Sequence, residues 1–256
     1  MVSEADVSDL FVRLNDRVAV ITGAGSGIGE AISRRFAEQG AVVALLDLDL
    51  NQAMRVAHSI GVQAQAFECD VSSRASVTTS IAAVTATVGA IDILVNCAGV
   101  VGLAPADELS DEWWARTLTV NLTGTFVMSQ EVGRLMLERG RGKIINLASQ
   151  AASVALDGHA AYCASKFGVV GLSKVLASEW AGRGVTVNTI SPTVVLTALG
   201  RQAWSGPKGD RLLAQIPTGR FAEPEEIAAV ASFLASKASD MINGADILVD
   251  GGYTIR

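Results

Sequence analysis

The chain has 256 residues, enough for one large domain with a sizeable buried core. Half of its residues are hydrophobic and 18% are charged, which argues against a disordered chain. The formal net charge of −6 argues against a nucleic-acid-binding protein, which needs a basic surface. The three cysteines and two histidines are scattered, so neither a disulfide framework nor a zinc site is expected.

The sequence predicts a cytoplasmic protein with no membrane partner. No apolar run approaches the roughly 18 residues that a membrane-spanning helix needs. The N-terminal segment MVSEADVSDLF is acidic and lacks the basic and apolar regions of a secretory signal. An odd number of cysteines without CxxC spacing is typical of a reducing compartment.

Short apolar runs alternate with longer amphipathic segments, which predicts an α/β fold with a doubly wound, mostly parallel sheet of about seven strands and helices on both faces. Residues 1–256 show no linker or repeat and are predicted to form a single domain, with residues 1–16 as an N-terminal extension. The predicted strands are Val18–Thr22, Val42–Leu46, Val62–Cys69, Ile93–Asn96, Lys143–Leu147, Thr186–Ile190 and Asp246–Val249. The predicted helices are Gly27–Gln39, Leu50–Ile60, Ser73–Val88, Ser110–Arg139 (two helices or one kinked helix), Ala160–Ala181 and one that starts at Pro224.

Residues 197–221 interrupt this alternation. The segment contains Gly200, Trp204 and Gly209 and has only weak periodicity. Excursions of this length within a compact domain are often lids or binding loops. We therefore predict a substrate lid in this segment.

A glycine-rich turn follows the first predicted strand. It reads TGAGSGIG from Thr22 to Gly29, and a predicted helix begins within it. Glycine permits close approach of the backbone to a pyrophosphate, and a helix N-terminus supplies unpaired N–H groups and a partial positive charge. The turn therefore predicts a dinucleotide-binding site.

Three further motifs follow in order along the chain. They are NCAG at Asn96–Gly99, Asn121 with Gly124, and YCASK at Tyr162–Lys166. Together with the TGxxxGxG turn they resemble the short-chain dehydrogenase/reductase family over essentially the whole chain, with cysteine at position 97 where that family usually has asparagine. The resemblance implies a Rossmann-type fold and a nicotinamide-dependent oxidoreductase.

Asp47 ends the second predicted strand, where an acid hydrogen-bonds the adenosine ribose in NAD enzymes. No arginine or lysine stands at positions 26 or 48 to hold the 2′-phosphate of NADP, so we expect NAD as the cofactor. Thr193 stands where the family usually has glycine. The resemblance implies further cofactor contacts at Gly23, Ser26, Gly27, Ile28, Gly29, Asp70, Val71, Asn96, Ala98, Gly99, Tyr162, Lys166, Pro192, Val195 and Thr197.

Tyr162 and Lys166 are four residues apart in a predicted helix, so their side chains share one face. We expect the ammonium to lower the pKa of the phenol from its usual value of about 10 and so make it a better general base. The resemblance implies that Ser149 holds the substrate oxygen beside Tyr162 and that the backbone carbonyl of Asn121 orders a water beside Lys166. It also implies hydride transfer between a secondary alcohol and the nicotinamide, without a metal ion.

Polar residues between Ser149 and Tyr162 suit a polyhydroxylated substrate, because buried donors and acceptors need partners. The predicted substrate contacts are Ser149, Gln150, His159 and Tyr162, and the EWAGRGVTVN and GGYT segments resemble the polyol dehydrogenases of the family. One alternative is a 3-oxoacyl-thioester (acyl carrier protein) reductase, whose acidic carrier would meet the basic residues of segment 197–221. The other is a catalytically inactive, nucleotide-sensing regulator.

The family resemblance also implies self-association. Members usually form tetramers through two long helices, which here begin near Ser110 and Ala160, and through the last strand. The ending ILVDGGYTIR is apolar enough for such an interface, and we expect a homotetramer.

Overall fold

The structure, a computed structural model, describes residues 12–255, so residues 1–11 of the predicted N-terminal extension lie outside the described residues. The described residues form one sheet whose strands all pair in parallel. The strands are β1 (Val18–Thr22), β2 (Val42–Asp47), β3 (Ala64–Glu68), β4 (Ile93–Asn96), β5 (Gly142–Leu147), β6 (Val185–Pro192) and β7 (Asp246–Val249). Their order, β3-β2-β1-β4-β5-β6-β7, confirms the predicted doubly wound sheet of seven strands.

Helices cover both faces of this sheet. They are α1 (Gly27–Glu38), α2 (Leu50–Ile60), α3 (Arg74–Val88), α4 (Asp111–Leu118), α5 (Thr125–Arg139), α6 (Ala160–Trp180), α7 (Ala198–Ala203), α8 (Pro207–Leu213) and α9 (Pro224–Ala235). Because side chains alternate along a strand, Ile21 of β1 packs with Phe36 of α1 on one face. Its neighbour Val20 packs on the other face with Val77 of α3 and Met128 of α5. The carboxyl ends of the strands are thereby fixed along one edge.

The predicted helical stretch Ser110–Arg139 is two helices joined by a π-helical segment, Thr119–Gly124. The Ser110 hydroxyl accepts a hydrogen bond from the backbone N–H of Trp113, which caps the start of α4. A π-helical turn widens the helix locally and is often found at functional sites. This turn carries Asn121.

Predicted and observed element ends differ by a few residues. The third predicted strand is shorter, Ala64–Glu68, because the chain still turns after Gly61 and the Val62 side chain is fully exposed. The segment 197–221 contains two short helices, α7 and α8, and the hydroxyl of Thr197 caps α7. Among residues 12–255, no helix combines the length and apolar character needed to cross a bilayer.

Candidate active site

The glycine-rich turn lies where β1 ends and α1 begins. Gly23 and Gly27 have φ values of +64° and +57°, in the left-handed region that favours glycine. A Cβ on Gly29 would collide with the carbonyl oxygen of Gly23, and a Cβ on Gly23 would lie 2.9 Å from Cα of Ala98. Ser26 caps α1 by its backbone alone, without a side-chain hydrogen bond. The turn therefore has the bare backbone and open helix N-terminus of a phosphate cradle.

Two other predicted cofactor segments border this turn. The Thr22 hydroxyl accepts hydrogen bonds from the backbone N–H groups of Cys97, at 3.0 Å, and Ala98, at 3.1 Å, which ties the segment after β4 to the end of β1. A Cβ on Gly27 would lie 3.1 Å from Cγ2 of Thr197, so the segment after β6 reaches the same turn. The structure thus brings the ends of β1, β4 and β6 together.

Asp47 lies at the end of β2, beside the turn. Its Oδ2 accepts a hydrogen bond of 2.8 Å from the backbone N–H of Gly25, and its Oδ1 accepts one of 3.0 Å from Asp49. A pocket of about 510 Å³ is lined here by residues 47–51 and Glu68. Because each carboxylate oxygen can accept more than one hydrogen bond, Asp47 can hold the turn and still accept from ribose hydroxyls.

A second contact on Gly25 was not predicted from the sequence. The guanidinium of Arg55, on α2, donates hydrogen bonds of 3.0 Å to the carbonyl oxygen of Gly25 and to Glu30. Arg34 also donates to Glu30, at 2.7 Å. These contacts hold the pKa of Glu30 below its usual value although burial raises it. Gly25 is therefore held through its N–H by Asp47 and through its carbonyl by Arg55.

Other predicted cofactor residues serve the fold as well. Asp70 accepts hydrogen bonds from both the backbone N–H and the hydroxyl of Ser72, so its carboxylate closes the turn after β3. A Cβ on Gly124 would lie 3.0 Å from Val71, which places Val71 against the π-helical turn. The side-chain amide of Asn96 donates to Asn146 at 2.8 Å and so joins β4 to β5.

Four further predicted contacts are placed by the elements that carry them. Ile28 lies in the first turn of α1, Pro192 ends β6, and Val195 forms an isolated bridge with Ala222. A Cβ on Gly99 would lie 3.9 Å from the ammonium nitrogen of Lys166, so the backbone at this glycine closely approaches the catalytic candidates.

Tyr162 and Lys166 share one face of α6, as predicted. Nζ of Lys166 lies 5.6 Å from the centroid of the Tyr162 ring and donates a hydrogen bond of 2.6 Å to the carbonyl oxygen of Leu147, at the end of β5. Burial lowers the pKa of Lys166 to about 8. Ser149, which follows β5, lies close enough to the Tyr162 phenol for its hydroxyl to lower the pKa of that phenol. The structure therefore places three of the four predicted catalytic residues together.

The expected lowering of the phenol pKa is wrong for this structure. Burial raises the pKa of Tyr162, and this effect exceeds the lowering by the hydrogen bond from Ser149. The cause is loss of hydration, which destabilises the phenolate more than the phenol.

Asn121, the fourth predicted catalytic residue, joins three segments. Its amide exchanges hydrogen bonds of 2.8 and 2.9 Å with the backbone N–H and carbonyl of Val100, and it donates one of 3.1 Å to Ser165. The Ser165 hydroxyl in turn donates to the backbone carbonyl of Tyr162 at 2.7 Å. The carbonyl of Asn121 accepts from the Thr125 hydroxyl, so its predicted role in holding a water stays a prediction. Ser165 was missed, although it stands within the YCASK motif.

The predicted substrate residues flank Tyr162. Gln150 follows Ser149, is 3% exposed, and carries an Oε1 atom without a hydrogen-bond partner among the described residues. The His159 ring packs edge-on against Tyr162 at a centroid distance of 6.2 Å. Thr193 also carries a buried hydroxyl without a partner among residues 12–255. Buried polar atoms are normally paired, so the oxygen of Gln150 is a polar group that the described residues leave without a partner.

A family model described as enoyl-(acyl carrier protein) reductase matches residues 23–254. The D-threitol dehydrogenase of Mycolicibacterium smegmatis is 61% identical over 251 residues, which cover 97% of this chain and 96% of that protein. The NAD-dependent glycerol dehydrogenase of Listeria innocua is 46% identical over 248 residues, 97% and 98% of the two chains. A solved gluconate 5-dehydrogenase from Burkholderia cenocepacia, in complex with NADP and tartrate, superposes with a TM-score of 0.92 at 38% identity and covers 96% and 98% of the two chains.

Proposed function

This chain belongs to the short-chain dehydrogenase/reductase family and is an oxidoreductase acting on CH–OH groups, and we propose that it oxidises a secondary hydroxyl of a polyol to the ketone with NAD. The observation that carries the substrate class is the buried Oε1 of Gln150, which has no partner among the described residues. A second hydroxyl on the substrate gives this oxygen a donor, whereas a monohydric alcohol leaves it unpaired at a cost of about 1–3 kcal/mol. The relatives named for threitol and glycerol support the same class.

The residues present fit a nicotinamide dinucleotide. The bare turn around Gly23 and Gly27 accepts its pyrophosphate, and the Asp47 carboxylate accepts hydrogen bonds from its adenosine ribose. When bound, NAD accepts the hydride that leaves the carbinol carbon. The gluconate 5-dehydrogenase was solved with NADP, so the proposal of NAD rests on Asp47 of this chain.

In the proposed reaction, side chains at the end of β5 and on α6 accept the proton of the substrate hydroxyl. The Ser149 hydroxyl, which lies beside the Tyr162 phenol, holds the substrate oxygen at that phenol. Tyr162 takes the alcohol proton, and the Lys166 ammonium, held by Leu147 with Nζ 5.6 Å from the ring centroid, offsets part of the cost of forming the buried phenolate. Asn121 fixes the Tyr162 turn of α6 through Ser165. The same groups return the proton in the reverse direction.

The alternative of a thioester reductase loses part of its support in the structure. It depended on an excess of basic residues in segment 197–221, where an acidic carrier protein would bind. Arg201 pairs with Glu223 at 3.0 Å and Arg220 pairs with Glu226 at 2.6 Å, both at the start of α9. Two of the cations are thus already matched by carboxylates of the same chain. The named dehydrogenases among its relatives favour an active enzyme over the inactive, nucleotide-sensing regulator.

We also propose a homotetramer in the cytoplasm. The helices α4 and α6 pack against each other and expose a group of large apolar side chains: Trp113, Trp114, Phe167 and Val175. Apolar groups of this kind mark association surfaces in soluble proteins. Leu248 of β7 and Ile255 are exposed as well, at the end that the sequence assigns to a second interface. The three cysteines are unpaired, which supports a reducing compartment.

A substrate panel with NAD tests the proposal. Tetritols, pentitols, hexitols, glycerol, monohydric secondary alcohols and a 3-oxoacyl thioester are compared by kcat/KM. We expect a polyol to be preferred, and we expect Tyr162→Phe to bind NAD normally while losing about 10²- to 10⁴-fold in kcat. A tenfold preference for monohydric alcohols or thioesters over every polyol would overturn the substrate class. Turnover of Tyr162→Phe within about threefold of wild type would remove the tyrosine from the mechanism.

A further inference from the structure

A cavity of about 990 Å³ opens at the amino-terminal edge of the sheet, where the parallel strands begin. Its lining includes Arg17 before β1, Asp92 before β4, and Lys143 at the start of β5. The glycine-rich turn and Tyr162 lie at the opposite edge, so the proposed reaction uses none of these residues. The cavity is a separate feature of the fold.

The lining of this cavity is basic in an acidic chain. Among residues 12–255, the lining carries five cations and three carboxylates, an excess of 5 − 3 = +2, whereas the full sequence has a formal net charge of −6. The cations are Arg13, Arg17, Arg141, Lys143 and Lys237, and the carboxylates are Asp16, Asp92 and Asp240. A concave surface lined by an excess of one charge raises the local concentration of the opposite ion. The cavity therefore favours an anion.

One buried carboxylate contacts three guanidinium groups, two of them from the cavity lining and the third from Arg139. Oδ1 of Asp92, which is 6% exposed, lies 2.7 Å from Nη2 of Arg139, 3.4 Å from Nη2 of Arg141 and 3.6 Å from Nη1 of Arg17. Only the contact with Arg139 is a short hydrogen bond. A guanidinium has five N–H donors, so Arg17 and Arg141 retain donors for an acceptor other than Asp92. Lys143 is matched by Asp240 at 2.8 Å.

We propose that this cavity binds a phosphate-bearing anion between Arg17 and Arg141. Paired N–H groups of a guanidinium match the oxygens of a phosphate and bind them bidentately. The volume is at the upper end of the range of about 300–1,000 Å³ for small-molecule sites, which fits a pyrophosphate or a sugar phosphate. The inference does not depend on the proposed dehydrogenase activity.

Equilibrium dialysis of the full chain, saturated with NAD so that the glycine-rich turn is filled, tests the proposal. Radiolabelled inorganic pyrophosphate and a radiolabelled hexose monophosphate are used separately at constant ionic strength. We expect one site per chain and at least a tenfold weaker affinity in Arg141→Gln, which leaves the contact between Asp92 and Arg139 in place. The matched control Arg74→Gln removes an exposed cation near the carboxyl end of β3 and is expected to change the affinity less than twofold.

The two ligands distinguish the sources of the phosphate. Tighter binding of the hexose monophosphate assigns the site to a phosphorylated sugar, and tighter binding of pyrophosphate assigns it to the inorganic anion. A melting temperature of Arg141→Gln within about 2 °C of wild type shows that the variant is folded, and Arg17→Gln provides a second variant of the lining with the same expected loss. Absence of binding at millimolar concentration, or equal affinity in wild type and both lining variants, would overturn the proposal.

Discussion

The carboxylate of Asp47 accepts a 2.8 Å hydrogen bond from the backbone N–H of Gly25, which ties the acid at the end of β2 to the middle of the glycine-rich turn. This contact gives Asp47 a structural role that needs no ligand. An aspartate that only held the turn would not discriminate between dinucleotides, whereas one that also faces the ribose repels the 2′-phosphate of NADP. Two unit charges about 4 Å apart repel by roughly 4 kcal/mol at an effective dielectric constant near 20.

The substitutions Asp47→Asn and Asp47→Ala separate these two roles. Solvent at the rim reduces the repulsion to about 2–3 kcal/mol, so wild type is expected to prefer NAD roughly 30- to 150-fold. Asp47→Asn keeps an oxygen for Gly25 and is expected to lower the NAD/NADP ratio of kcat/KM at least tenfold without loss of Tm. Asp47→Ala loses both functions, so NAD weakens while NADP holds or improves. Asp49→Asn, in the same pocket, serves as control, and an unchanged ratio in Asp47→Asn would reduce Asp47 to a turn residue.

Gln150→Leu tests the assignment of its amide to a second substrate hydroxyl. The variant removes a buried oxygen that has no partner among the described residues, so we expect no loss of Tm. We expect kcat/KM for the best polyol to fall tenfold or more, because a hydrogen bond to the substrate is lost. The value for a monohydric secondary alcohol is expected to change less than threefold. Ser153→Ala, at an exposed position of the same segment, is the control, and equal losses for both alcohols would contradict the assignment.

The sheet, the glycine-rich turn and the spacing of Tyr162 and Lys166 were predictable because each is a local pattern. A buried parallel strand must be apolar, and the turn must be free of side chains where Gly29 meets Gly23. Both demands act on residues adjacent in sequence and are therefore visible without the fold.

Contacts between distant segments were not predictable. Arg55 reaches Gly25 from 30 residues away, and the Asn121 amide reaches Ser165 from 44 residues away. No periodicity selects such side chains, since their meeting depends on how the helices pack. The expectation for the pKa of Tyr162 was wrong for a related reason. The sequence shows the neighbouring lysine but not how deeply the phenol is buried, and burial raises its pKa.

Phe167→Glu tests the proposed assembly. Phe167 lies on α6, is 51% exposed, and shares the surface formed with α4. If that surface is buried in a tetramer, a carboxylate there is costly to desolvate, and the assembly is expected to dissociate. Sedimentation equilibrium at micromolar concentration is expected to give about four times 26.5 kDa for wild type and a smaller species for the variant. Ala86→Glu, at an exposed position of α3, is the control and is expected to keep the wild-type mass. A wild-type mass near 26.5 kDa would rule out the tetramer.

Lys166→Met tests how far the ammonium is removed from water. Wild-type Lys166 releases its proton at a pH of about 8 in the folded chain, against 10.5 in the unfolded chain. Between these values the unfolded chain binds more protons, so this group makes the free energy of unfolding rise with pH, by about 2 kcal/mol from pH 7 to 9.5. Lys166→Met lacks this titrating group, so its free energy of unfolding does not gain this increment. The difference in free energy of unfolding between wild type and Lys166→Met is therefore expected to change by about 2 kcal/mol in favour of wild type from pH 7 to 9.5. Denaturant unfolding at fixed protein concentration measures this difference. The pH values used stay below the pKa of Tyr162. Lys174→Met, at an exposed position of α6, is the control variant. A difference between wild type and Lys166→Met that does not vary with pH would mean that the Lys166 ammonium stays hydrated in the folded chain.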